Sequence, residues 1–208
     1  MEFDPATLAT PVLYQHLIRT IMPRPIAWVS TVSNRGQTNL APFSFFTGIG
    51  SKPASLLFCP VNKRDGSPKH TLRNILETRE FVVGVVPFSL VESMNLTSAE
   101  VPPEESEFEL AGLKTAPSVR IRPPRVEASP VSFECELMQH IPVGEGPGGG
   151  NIVVGRIVHF CIQDSVLNSD GYAEPNLLDL VGRLGGSSYC RVAPTFEVER
   201  PTVRRTPG

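Results

Sequence analysis

Ile26-Ala27-Trp28-Val29-Ser30-Thr31-Val32, Asn34-Arg35-Gly36-Gln37 and Thr38-Asn39-Leu40-Ala41 follow one another in the chain, and their succession decides the fold class. The first stretch is rich in β-branched and aromatic residues, the second carries a glycine where a tight turn needs one, and the third resumes the strand. Together they read as a β-hairpin. Outward from it, Leu56-Leu57-Phe58-Cys59 reads as a third strand and Phe81 to Val86 as a fourth, ended by Pro60 and Pro87. Between them, Leu72, Ile75 and Leu76 recur at helical spacing, which predicts a short amphipathic helix over Lys69 to Thr78. A weak apolar stripe from Pro5 to Ile21, interrupted by Pro11, predicts an N-terminal helix, and Leu90 to Leu96 another. Thr97 to Pro130 reads as irregular, broken by Pro102, Pro117, Pro123, Pro124 and Pro130; long excursions of this kind tend to be functional or to wrap a partner. The longest strand candidates, Val131 to Ile141 and Ile152 to Ile162, come last, joined by a glycine-rich turn. Strands outnumber helices and recur with short turns. The expected fold class is therefore mainly β, an antiparallel barrel with short helices rather than a βαβ sheet.

Composition bounds the function. The chain has 208 residues and a net charge of −2, which fits one domain and supplies no basic footprint for nucleic acid or an anionic membrane. Its 21 prolines disfavour a helical bundle. No apolar run is long enough for a membrane span and the start lacks a signal-peptide pattern, so a cytoplasmic protein is expected. Cys59, Cys135, Cys161 and Cys190 lie far apart, and the first three sit in apolar runs as small core residues. In Val131 to Leu137 the alternation puts Val131, Phe133, Cys135 and Leu137 on the core face and Ser132, Glu134 and Glu136 on the other.

Two formal motifs dissolve on context. Gly144-Glu145-Gly146-Pro147-Gly148-Gly149 matches a dinucleotide-binding pattern, but a strand follows it where that motif needs a helix, so it reads as a hairpin turn. His16, His70, His140 and His159 are scattered, no metal site is expected, and no serine, zinc or paired-carboxylate catalytic pattern is present. More informative are Asn39-Leu40-Ala41-Pro42-Phe43-Ser44-Phe45-Phe46 and Lys69-His70-Thr71-Leu72-Arg73-Asn74-Ile75. A helix start with Lys69 and Thr71 suits a phosphate, and an aromatic loop beside it suits a flat ring. The same residues also suit a capped helix beside an aromatic core cluster.

The hairpin, the aromatic loop and the Lys69 segment resemble the flavin reductase-like, FMN-binding split-barrel family, of the flavoredoxin and nitrilotriacetate monooxygenase component B type. The resemblance continues through Asn95-Leu96-Thr97-Ser98, Glu107 to Leu113, both long strands and Arg183-Leu184-Gly185-Gly186-Ser187-Ser188-Tyr189. It implies one antiparallel Greek-key split-barrel domain over residues 1–208, with its core about 17–190 and extensions at both ends. It also implies a homodimer with FMN near the interface. Carried over by position, Ser30, Thr31, Val32, Pro42, Phe43, Ser44 and Phe45 would hold the ring and ribityl chain, and Lys69, His70 and Thr71 the phosphate. The family commonly has an aspartate where this chain has His70, and many reductase components carry glycine-aspartate-histidine where it reads Gly149-Gly150-Asn151.

The implied activity is hydride transfer from NADH or NADPH to FMN, with reduced flavin or electrons passed to a monooxygenase or another acceptor protein. No catalytic side chain is expected, because the cofactor carries the chemistry. The alternative is a flavoredoxin-like carrier that holds FMN tightly and is reduced by a protein partner.

Overall fold

The computed structural model describes residues 2–102 and 104–201; Met1, Pro103 and residues 202–208 of the expected domain lie outside them. The helices are α1 (Thr10–Thr20), α2 (His70–Thr78), α3 (Val91–Leu96), α4 (Glu107–Leu110) and α5 (Pro175–Leu178). The first seven strands are β1 (Ala27–Val32), β2 (Thr38–Phe43), β3 (Phe46–Ser51), β4 (Ala54–Phe58), β5 (Glu80–Gly84), β6 (Thr115–Ala116) and β7 (Arg125–Val126). They are followed by β8 (Val131–Pro142), β9 (Asn151–Ile162), β10 (Val181–Arg183) and β11 (Tyr189–Arg191).

The hairpin forms as read: β1 and β2 pair antiparallel from Ala27↔Phe43 to Val32↔Thr38, with Gly36 at φ +82° in the turn, a conformation glycine adopts freely. Seven strands make one antiparallel sheet in the order β2-β1-β5-β8-β9-β4-β3. Its two edges, β2 and β3, are separated in sequence by Ser44 and Phe45 alone, so the sheet has to curl until they meet. The Cys59 amide donates to the Phe45 carbonyl at 2.8 Å, which extends the β3–β4 pairing into that linker. Phe58 of β4 stacks on Phe43 of β2 at 5.2 Å and on Phe81 of β5 at 5.6 Å, contacts that only a rolled sheet allows. The result is the split barrel that the resemblance implied. Gly155 on β9 leaves room for the Phe81 ring, which a side chain there would strike.

Ala27, Val29, Leu56, Val83, Cys135, Leu137 and Val153 fill the lumen, and Leu72 and Ile75 of α2 pack onto the same core. A second cluster covers the outer face of the hairpin: Ile26, Trp28 and Leu40 pack with Met94 of α3, Phe108 of α4 and Val126 of β7. Thus the proline-rich excursion after Thr97 is a cover over β1 and β2.

That cover corrects one expectation. Ser132 and Glu134 do point away from the lumen, yet both are buried. The Glu134 carboxylate accepts the amides of Val119 at 2.8 Å and Arg120 at 2.7 Å, clamping the excursion to β8. A second correction is β3: the aromatic loop is short, and an edge strand begins at Phe46. Cys135 is buried as expected, whereas Cys59 and Cys161 are partly exposed, and Arg125 Nη1 lies 2.8 Å from the Cys161 sulfur. The glycine-rich segment is the β8–β9 turn, tied to the loop ahead of α2 by the Asn62 amide, which donates to the Gly149 carbonyl at 2.9 Å. No helix of the described residues is long and apolar enough to cross a membrane.

Candidate functional site

The hairpin and α2 are locked together by two amide–hydroxyl hydrogen bonds. Asn39 Nδ2 donates to Thr71 Oγ1 at 3.0 Å, and Asn74 Nδ2 to Thr31 Oγ1 at 3.0 Å. All four residues are buried, so each bond satisfies polar atoms that water does not reach. The lock fixes where α2 begins relative to β2. Lys69 is the extended residue ahead of the helix, and the first intrahelical bond runs from the Arg73 amide to the Lys69 carbonyl at 3.1 Å. The amides of His70, Thr71 and Leu72 therefore have no acceptor within the helix.

Basic groups gather at that helix start. Lys63 Nζ lies 3.2 Å from His70 Nε2, and Lys69 Nζ lies 3.8 Å from a Glu100 carboxylate oxygen. A lysine ammonium can only donate, so His70 accepts from it as the neutral imidazole. Burial holds the His70 pKa below its ordinary value, and the nearby charges of Lys63 and Arg73 act in the same direction. Across the cleft, buried Glu107 accepts the Leu40 amide at 2.9 Å, and burial raises its carboxyl above the usual range. These groups border a cavity of roughly 50 Å³ that also takes in Asn39, Ala41 and Ser98.

Ser98 borders a second, wider cavity of roughly 250 Å³ at the other end of β2, lined by Pro42, Phe43, Ser44, Tyr14, Arg183 and Tyr189 among others. From Asn39 to Phe43 the edge strand spans about 13 Å at a rise of about 3.3 Å per residue. Pro42 suits an edge, because it has no amide to leave unpaired there. The Arg183 guanidinium sits over the Tyr189 ring at 4.3 Å, and Tyr189 Oη approaches Asn95 Oδ1 at 3.4 Å. Behind this wall lies Arg24, 4% exposed, whose Nε donates to Ser44 Oγ at 3.2 Å. The two cavities that meet at Ser98 thus have lysines and helix amides at the narrow end and aromatic rings with two arginines at the wide end.

Of the residues singled out in the sequence, Lys69, His70 and Thr71 border the narrow end and Pro42, Phe43 and Ser44 the wide end. Thr71 is buried, with its hydroxyl engaged by Asn39. Ser30, Thr31 and Val32 are buried on β1 and line neither cavity; the Ser30 hydroxyl has no partner and the Thr31 hydroxyl accepts from Asn74. Phe45 meets Arg24 instead, its ring centroid 6.0 Å from the guanidinium carbon. Sequence reading did not single out Lys63, Glu107, Tyr14, Arg24 or Arg183 for a role at the site. Only Arg24, a charged residue at the head of an otherwise apolar strand, left a signal that could have been followed.

The donor set suits a flavin mononucleotide: lysine cations and free helix amides match a phosphate monoester, and aromatic walls match a flat ring. Comparison with known proteins points to a flavin-linked family. Residues 18–183 match the flavin reductase like domain. An uncharacterized protein of Halalkalibacterium halodurans is 39% identical over 206 residues, which are 98% of each chain. Among solved structures, nitrilotriacetate monooxygenase component B from Bacillus cereus superposes with a TM-score of 0.89 at 32% identity, covering 95% of this chain and 98% of that one. The 2-nitrobenzoate 2-nitroreductase of Pseudomonas fluorescens superposes over 100% of both chains with a TM-score of 0.86 at 29% identity.

Proposed function

The chain belongs to the flavin reductase-like family, and on that premise we propose that it binds FMN along β2 and transfers hydride to it from NADH or NADPH. The reduced flavin or its electrons then go to a partner protein such as a monooxygenase. One observation carries this reading: two cavities that share Ser98 lie along β2, with basic groups and open helix amides at the narrow one and aromatic walls at the wider one. Lys63, Lys69, His70 and the amides of Thr71 and Leu72 would hold the phosphate. Pro42, Phe43 and Ser44, with Tyr14 and Tyr189 facing them, would hold the ring.

When bound, the flavin supplies the hydride and electron chemistry. The protein binds and orients. The Asn39–Thr71 and Asn74–Thr31 bonds keep the two ends of the groove at a fixed separation. Tyr14 and Tyr189 would cover the faces of the ring. Ser30, Thr31 and Val32 act through β1, the strand against which β2 is registered. Tyr14 and Leu17, both exposed on α1 beside the wide end, suit a second copy of the chain, which would close the cavity in a homodimer.

The test is a visible spectrum of the protein after added FMN and desalting, followed by anaerobic NADPH and then NADH. Retained flavin that bleaches with either nucleotide is the expected result and identifies the donor. Retained flavin that stays oxidised would replace the reductase reading by that of a carrier reduced by a protein partner. Absence of any flavin binding would overturn both.

A further inference from the structure

Arg24 is the least exposed arginine of the site, and its hydrogen bonds reach three of the segments around the wide cavity. Its Nη1 donates to the carbonyls of Ile18 at 2.6 Å and Ile21 at 2.7 Å, at the end of α1, and its Nη2 to the carbonyl of Leu184 at 2.9 Å. The Nε donates to Ser44 Oγ at 3.2 Å. Those bonds tie α1, the β10–β11 turn and the aromatic loop to one side chain. Structural bracing accounts for the carbonyls. It does not account for the charge: among the described residues, no ion pair includes Arg24 or Arg183. Burial works against the Arg24 cation, Tyr14 favours it, and Arg183 works against it. A guanidinium nevertheless stays protonated, so two positive charges flank the wide cavity with no carboxylate to compensate them.

The bond to Ser44 has a direction. Arginine has donors and no acceptor, so Ser44 Oγ must accept, which leaves the serine proton for another partner. Ser44 donates to no group among the described residues, and it lines the cavity.

We propose that Arg24 is a positioning residue: it turns the Ser44 hydroxyl into a donor toward the bound ring and, with Arg183, makes the wide end favour the negatively charged reduced flavin over the oxidised one. This rests on the groove being an FMN site. Oxidised flavin becomes that anion by taking up two electrons and one proton, so a cationic, donor-lined wall raises its affinity more than that of the neutral oxidised ring.

The experiment is a dithionite titration of the FMN-loaded protein, in which dithionite is oxidised to sulfite and the midpoint potential gives the ratio of reduced to oxidised affinities. Neither Arg24→Gln nor Arg24→Lys can reproduce the forked set of bonds to three carbonyls, so both should lower Tm, but only lysine keeps the charge. Arg24→Gln is expected to lose about tenfold in the affinity ratio, a midpoint about 30 mV more negative for a two-electron couple, while Arg24→Lys stays within about twofold of the wild type. Should Arg24→Gln not fold, Ser44→Ala decides, because it leaves every carbonyl bond of Arg24 in place: a loss of about threefold is expected, restored by Ser44→Thr. Equal potentials for the two Arg24 variants, or a wild-type potential in Ser44→Ala, would overturn the proposal. Failure of the wild type to bind flavin would instead overturn the reading of the groove.

Discussion

The two ends of the groove solve opposite problems with opposite materials. At the narrow end the cations stand among carboxylates: Lys69 faces Glu100, and Glu107 closes the other side of the same cavity. At the wide end Arg24 and Arg183 stand beside aromatic rings, and neither is ion-paired to an acid among the described residues. A phosphate is already charged on arrival, so the narrow end has to discriminate it from water and needs local, compensated charge. A ring that gains charge only on reduction is served by uncompensated charge held in advance in the wall beside it.

This contrast is open to attack at either end. The largest effect is expected from removing the phosphate contacts. Lys63→Ala combined with Lys69→Ala should weaken FMN about 100-fold, since a hydrogen bond to a charged group contributes about 1.5–3 kcal/mol, and should leave riboflavin unchanged. Fluorescence titration with both flavins checks it; equal losses would erase the distinction between the ends. Tyr189→Ala should cost FMN and riboflavin alike about fivefold, the value of one aromatic contact, because it touches the ring end only. Glu107→Gln should act in the other direction: it keeps an acceptor for the Leu40 amide, removes a negative charge beside the phosphate site, and tightens FMN by about threefold with riboflavin unmoved.

The smallest effect is in pH. In the free protein the folded-state pKa of His70 lies below its ordinary value, so the unfolded chain takes up a proton there first. The stability this represents is fully present above the ordinary histidine pKa of about 6.5 and is lost as pH falls through the folded value. Thermal melts of the flavin-free protein should therefore fall more steeply on acidification below pH 6.5 in the wild type than in His70→Gln. Parallel curves would show that burial and the Lys63 charge do not depress His70 in the folded protein.

The same contrast explains what could be read from the sequence. The narrow end was legible because Lys69, His70 and Thr71 are consecutive, and their place at a helix start follows from the spacing of Leu72 and Ile75. The wide end was half legible: Pro42, Phe43 and Ser44 are contiguous, but Tyr14, Arg24 and Arg183 reach it from α1, the segment ahead of β1, and β10. Nothing local marks such a convergence. In the fold, β1, β2, α2, β8 and β9 followed from periodicity. β3 did not, because Phe46-Thr47-Gly48-Ile49-Gly50-Ser51 is an edge with mostly exposed residues, two glycines and a bulge, and so carries no alternation. For Glu134 the alternation gave the right face but not its environment: burial came from the excursion, whose amides at Val119 and Arg120 need an acceptor. Ser30, Thr31 and Val32 rest on the resemblance alone: they are buried on β1, beside β2, and Thr31 is tied to α2 through Asn74.

That one ligand spans both ends is the claim on which the rest depends, and the direct measurement is equilibrium titration of the wild-type protein with FMN and with riboflavin under the same conditions. The account predicts saturable binding of both, with FMN tighter by at least about tenfold, the contribution of one charge-assisted phosphate contact. Equal affinities, or binding of neither, would contradict it.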